Sequence, residues 1–275
     1  MPNDFYNLTI SYRKSADIHR GYFDIVHKGN HEPVTKWILY NENQTIDLES
    51  YGVAKLEERQ NDIAWAASNC NAYNHREDYV QEMKDHASNL TIDIFGKCGD
   101  LKLSKDPNLS EAFRTNISPK YKFYLAFENS NCQEYVTEKF ALSLIHGIVP
   151  VVMGGLNSST YEKIGEYANY VSCLFIKSGL LFAFSAPPHS YINVNDYKTA
   201  QDLMKYLEYL SKNSTAYNSY FWWHEHYTLK TYDDIKEEMS CKFCELLNME
   251  NYESPNDYTN LESYWVKCLK KIDET

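Results

Sequence analysis

KYKFYLAFENSNCQEYVTEKFALSLIHGIVPVVMGG, residues 120–155, decides the fold. Phe123–Phe127 is a short apolar and aromatic run, as a buried strand requires. Glu128, Asn129, Ser130 and Asn131 then break it. From Tyr135 to His146, Val136, Phe140 and Leu144 recur at helical spacing, and Gly147 stops the helix. Ile148–Val152 reads as a second strand, closed by Gly154 and Gly155. Two strands around one helix form a parallel βαβ unit, and ligands sit at the carboxyl ends of such strands. The loop here feeds a helix start, whose free N–H groups favour an anion. Glu138 and Lys139 lie in the first turns of that helix. A carboxylate and an ammonium at such a place point to sugar hydroxyl and diphosphate contacts.

Working outward, Asp62–Ser68 and Thr91–Phe95 read as strands around a helix from Arg76 to Ser88, with Tyr79, Met83 and Ala87 on one face. Tyr191–Val194 reads as a further strand, and Thr199–Leu210 and Tyr232–Leu247 as helices. This alternation predicts an α/β, Rossmann-like, doubly wound parallel sheet beginning near Asn61. Residues 1–60 are polar, with few long apolar periods, and read as the tail end of something larger.

The 275 residues suffice for one large or two modest domains, and an apolar fraction of 43% is that of a globular protein. A net charge of −11 without a Lys/Arg cluster argues against nucleic acid as a partner. The opening MPNDFYNLTISYRK lacks the apolar stretch of a signal peptide. Val171–Phe184 is interrupted by Lys177 and is too short to span a bilayer comfortably. Sequons at Asn7, Asn43, Asn89, Asn108, Asn116, Asn157 and Asn213 fit a secretory setting only weakly in so Asn-rich a chain. No D-x-D occurs, and His224 and His226, two apart, share no helix face, so no metal is expected. No G-x-G-x-x-G follows the first strand, which disfavours an oxidoreductase.

The stretch FENSNCQEYVTEKF followed by GIVPVVMGG resembles the signature of the α-1,3-fucosyltransferases, glycosyltransferase family ten. Asn7–Arg13 resembles the family's N-x-T-x-S-Y-R segment, Ala64–Cys70 its A-W-x-x-S-N-C, and Asp93–Gly99 its D-x-x-G-x-C-G. Pro187–Ile192 and Tyr217–Phe221 match later segments. The resemblance implies the C-terminal half of a GT-B glycosyltransferase. Residues 61–275 would bind GDP-fucose, and 1–60 would be a remnant of the N-terminal acceptor domain and the interdomain connection. The run 169–186 is a candidate insertion, because it widens the spacing between Gly155 and Pro187.

The implied reaction moves L-fucose from GDP-β-L-fucose, with inversion, to an N-acetylglucosamine of a glycoprotein or glycolipid glycan. GDP-fucose is a co-substrate and no cofactor is required. The alternative is an inactive N-terminal truncation or pseudoenzyme that only binds nucleotide sugar. By resemblance the intact form is a type II membrane protein of the Golgi lumen, with any membrane contact through an anchor outside these residues. The implied donor-binding residues are Arg76, Asn129, Tyr135, Glu138 and Lys139. Lys139 and Arg76 would neutralise the diphosphate, Glu138 would accept hydroxyls, and Tyr135 and Asn129 would hold the nucleotide and donor. Read alone, Glu138–Lys139 is an ordinary solvated pair, Arg76 a surface residue, Tyr135 a core residue and Asn129 a cap. The family's catalytic carboxylate lies upstream of the N-x-T-x-S-Y-R segment, so no general base is assigned. Of seven cysteines, Cys241, Cys244 and Cys268 are the disulfide candidates by the same resemblance, with free thiols the other reading.

Overall fold

The computed structural model describes residues 8–13, 16–34, 36–87, 89–103, 109–132, 135–154, 186–249 and 268–269. The stretch 169–185, read above as part of an insertion, lies outside them. In chain order come strands β1 (Ile10–Ser11), β2 (Ile18–His19), β3 (Phe23–His27) and β4 (Asn61–Ala66), then helix α1 (Arg76–Asp85) and β5 (Ile92–Phe95). Next are α2 (Leu109–Asn116), β6 (Tyr121–Phe127), β7 (Asn131–Cys132), α3 (Glu138–Ile145) and β8 (Val149–Met153). The remainder comprises β9 (Ile192–Asn193), α4 (Ala200–Ser211), α5 (Ser214–Asn218), β10 (Tyr227–Thr231), α6 (Tyr232–Leu247) and β11 (Cys268–Leu269).

Five strands form one sheet in the order β5-β4-β6-β8-β9. Every pairing in it is parallel, with Ile63 opposite Phe123 and Phe123 opposite Val149. Successive side chains of a strand point to opposite faces, and both faces here are covered. Ile63, Trp65, Phe123, Leu125 and Phe127 pack with Val80 and Met83 of α1 and Leu203 and Leu207 of α4. Ala64, Tyr124, Ala126 and Val152 pack on the other side with Phe113 of α2 and Phe140 and Leu144 of α3. That is the doubly wound α/β fold the alternation predicts. The chain runs outward one way from β4 to β5 and the other way from β6 to β9, so the order reverses between β4 and β6.

Helix α3 starts at Glu138, three residues later than periodicity predicts. Thr137 stays extended (φ −119°, ψ −170°), because its N–H and hydroxyl are drawn to the carboxylate of Glu128. At the far end Gly147 adopts φ +65°, donating to Leu144 O, while Ile148 donates to Ser143 O. This left-handed cap suits glycine, and a Cβ there would come 2.6 Å from Val53 Cγ2.

The segment before β4 is tied to the sheet domain. β3 pairs antiparallel with β10, from Phe23 opposite Thr231 to His27 opposite Tyr227. Phe23, Ile25 and Val34 share a core with Phe140, Trp222, Trp223 and Tyr227. Arg59, also buried, gathers carbonyls from three connections at the amino ends of the strands. It donates to Ala54 O (3.1 Å), Tyr121 O (2.7 Å), Gly147 O (2.5 Å) and Ser118 O.

His224 stacks on Trp223 (3.8 Å between centroids) and Tyr51 (5.4 Å). Burial, with a smaller push from the Lys28 ammonium, lowers its pKa to about 4. The folded-state value lies below the ordinary 6.5, so the unfolded chain binds the extra proton first. Stability is therefore complete above about pH 6.5 and falls as pH drops towards 4, by about 2–3 kcal/mol at pH 4.5 from this group. His224→Phe keeps a stacking ring that does not titrate. Urea unfolding at pH 7 and 4.5 should show a smaller acid loss in the variant, by that amount. Equal losses in the two proteins would show that His224 is not the sensor.

Candidate functional site

In an open parallel sheet the crevice where strand order reverses, at the carboxyl ends, receives ligands. The corresponding place here is the end of β4 and β6. Glu128 follows β6 and is wholly buried. One carboxylate oxygen accepts from Thr137 N (2.8 Å) and the other from Lys139 Nζ (3.0 Å), with the Thr137 hydroxyl 2.9 Å from both. Lys139 Nζ also donates to Thr137 Oγ1 (2.8 Å) and Glu138 Oε1 (3.0 Å). Burial pushes the Glu128 carboxyl up, against the Lys139 ammonium and the Thr137 donors. Burial also works against the charge of Lys139, but Glu128 and Glu138 outweigh it and hold its pKa above the usual lysine value.

Asn74 and Arg76 enter from the turn and helix after β4. Asn74 Nδ2 donates to Glu128 O (3.0 Å) and Asn131 Oδ1 (2.8 Å). Arg76, placed by sequence beside a diphosphate, is buried, and its terminal nitrogens hold the carbonyls of Phe127 (2.6 Å) and Asn69 (3.1 Å). Its guanidinium lies over the Trp65 ring at 5.3 Å. Its Nε is 3.7 Å from Glu77 Oε1, too long for a hydrogen bond. Burial lowers its pKa, opposed by Glu77 and Glu128. Arg76 Nε, the Trp65 indole nitrogen and Asn74 Oδ1 are buried without a hydrogen-bond partner among the described residues. Such leftover polar atoms at one strand end fit a place built to meet a polar group.

Tyrosines border the cluster. The Tyr135 ring lies 5.1 Å from that of Tyr12. Burial raises the Tyr135 hydroxyl pKa, and the charge of Glu128 adds to it. Burial raises the Tyr22 hydroxyl pKa, and the charges of Glu138 and Glu128 add to the rise. Asn129 lies half-buried in the bend after β6. The structure thus brings Arg76, Asn129, Tyr135, Glu138 and Lys139 to one strand end, and adds Glu128, Asn74, Tyr12 and Tyr22. Glu128 is legible as a carboxylate directly after the apolar and aromatic run Phe123–Phe127.

The cysteines need correction. Cys241 and Cys244 are exposed free thiols on α6. Residues three apart on a helix hold their Cβ atoms about 5–6 Å apart, whereas a disulfide needs about 3.5–4.5 Å. A disulfide joins Cys70 to Cys98 instead, linking the loops after β4 and β5. Beside it Gly96 has φ +95°, and a Cβ there would lie 2.5 Å from Ala67 O. Cys132 is also disulfide-bonded, and Cys268 stands opposite it in the antiparallel β7–β11 ladder. The signal for the first pair was its place in adjacent motifs, S-N-C and G-K-C-G, at neighbouring strand ends.

Among the described residues no group of three or more His, Cys, Asp or Glu could hold a metal ion, and no helix is long and apolar enough to cross a membrane.

Comparison with known proteins adds the family. Residues 56–265 match the sequence model of glycosyltransferase family 10 (fucosyltransferase), C-terminal part. Glycoprotein 3-alpha-L-fucosyltransferase A of Drosophila melanogaster is 32% identical over 95% of this chain and 43% of its own length. Alpha-(1,3)-fucosyltransferase C of the same fly is 30% identical over 97% of the chain and 55% of its own length. The human alpha-(1,3)-fucosyltransferase 4 is 26% identical over 97% and 42%. The chain therefore spans about half the length of the curated relatives it matches. A crystal structure of an alpha1,3-fucosyltransferase with GDP-fucose aligns over 76% of this chain and 53% of its own, with 20% identity and a TM-score of 0.47. With its match to the family model over residues 56–265, this chain belongs to glycosyltransferase family 10, the fucosyltransferases.

Proposed function

We propose that the crevice at the ends of β4 and β6 binds GDP-β-L-fucose, and that the protein moves the fucosyl group to an N-acetylglucosamine hydroxyl of a glycan in an α-1,3 linkage. The observation that carries this is the Lys139 ammonium, fixed by the buried Glu128 at the strand-order reversal. In the transfer, the acceptor hydroxyl gives its proton to a general base and its oxygen bonds to the anomeric carbon as the bond to the diphosphate breaks, with inversion. Negative charge grows on the departing diphosphate, and Lys139 is the cation placed to meet it. Arg76 adds positive charge at the same strand end, where its terminal nitrogens hold the carbonyls of Phe127 and Asn69. Glu138, with its side chain partly in solvent, accepts donor hydroxyls. Tyr135 and Asn129 line the donor beside it. The protein works in the Golgi lumen as part of a type II membrane enzyme, and GDP-fucose is a co-substrate with no separate cofactor.

Calorimetric titration of the chain with GDP tests the donor site. To avoid stranding a buried carboxylate, the variant is the double substitution Glu128→Gln with Lys139→Met. GDP affinity should fall by about 1.5–3 kcal/mol, the worth of a charge-assisted contact. A folded double variant that binds GDP as the unaltered chain does would refute the site.

A further inference from the structure

An ammonium has three donors, and all three of Lys139 are occupied: by Glu128 Oε2, Thr137 Oγ1 and Glu138 Oε1, at 3.0, 2.8 and 3.0 Å. Any anion that binds Lys139 must displace one of them. The three differ greatly in freedom. The Glu128 side chain is 1% exposed and is held by both polar groups of Thr137. Thr137, also 1% exposed, is the residue from which α3 starts. The Glu138 side chain is 42% exposed, so its contact costs less to break than the two buried ones. Glu138 is therefore the partner that leaves.

We infer that Glu138 is a specificity residue: its carboxylate occupies the anion position on Lys139 in the free protein and yields it only at a cost that hydroxyl-bearing ligands repay. This deepens the donor-site reading and rests on it. A nucleotide sugar brings a diphosphate to Lys139 and ribose and hexose hydroxyls to the displaced carboxylate, so one contact is traded for several. A bare anion takes the ammonium and leaves Glu138 beside a second negative charge with nothing to accept. The pair thus discriminates against inorganic diphosphate and phosphate, which share the charge of the donor but not its hydroxyls. Glu128 and Thr137 act as positioning groups, keeping the ammonium in place while its third partner changes.

The test is titration of the full chain with inorganic pyrophosphate and with GDP, in the unaltered protein and in two variants. Glu138→Gln keeps the length and removes the charge. Glu138→Asp keeps the charge and falls short of Lys139. Both should bind pyrophosphate about three- to tenfold more tightly. The preference for GDP over pyrophosphate should shrink by at least that factor in both. Unchanged pyrophosphate affinity in both variants overturns the inference. So does tighter binding in Glu138→Gln alone, which would make it an effect of net charge rather than of the contact. If pyrophosphate and GDP bind the unaltered chain and the Glu128→Gln, Lys139→Met double variant equally, the donor site itself is wrong and this inference falls with it.

Discussion

Arg59→Ala is expected to lower the unfolding free energy by about 4–6 kcal/mol, enough to leave much of the protein unfolded at 25 °C. Its guanidinium holds carbonyls of the 54–59 loop, the turn before β6 and the α3–β8 turn. Each is a charge-assisted bond, those to Ser118, Tyr121 and Gly147 fully buried, and removal strands several carbonyls at once. Losses above about 4 kcal/mol are uncommon for single substitutions and mark such networks. Arg59→Lys should recover only part of the loss, since one ammonium cannot reproduce the planar fork. Urea denaturation of the three proteins measures this. A loss under about 1 kcal/mol for Arg59→Ala would mean that water replaces the guanidinium freely and that the clamp is not structural.

Lys139→Ala should destabilise by about 3–5 kcal/mol at neutral pH, because it leaves the Glu128 carboxylate buried without its cation. The pH dependence follows from the direction in which burial pushes that carboxyl. A folded-state pKa raised above the unfolded value gives stability that is present at acid pH and lost as pH rises through the raised value. The deficit of the variant should therefore shrink at pH 5 and be full at pH 8. Adding Glu128→Gln should recover most of it, since an amide buries at lower cost than a charge. Equal deficits at both pH values, or a double variant no more stable than the single one, would contradict a charged pair.

How much was legible depended on how local the cause was. The β6–α3–β8 unit was readable because its apolar runs, its Gly147 stop and its helix period lie within some thirty residues of each other in the sequence. Tyr232–Leu247 was bounded correctly by periodicity alone. The five residues expected to bind the donor came from motif resemblance, and the fold brings them to one strand end. What escaped was set by contacts between distant segments. Arg59 looks like any charged residue until Ser118, Tyr121 and Gly147 are brought to it. Cys70 and Cys98 become neighbours only when β4 and β5 pair. The late start of α3 reflects Glu128 competing for Thr137, a contest that helical propensity does not register.

The β3–β10 ladder has a consequence for the order in which the protein can be made. Phe23 pairs with Thr231, so β3 waits for a strand made about 200 residues after it. At roughly 5–20 residues per second that wait lasts about 10–40 s. During it Phe23, Ile25 and Val26, buried in the finished protein, have no strand to join. The five parallel strands can assemble meanwhile, since β9 precedes β10. The ladder is thus a late event that fastens β3 to a sheet domain already in place. Chains released before residue 227 would carry an apolar strand without its mate, the kind of exposed edge that chaperones bind and aggregates recruit.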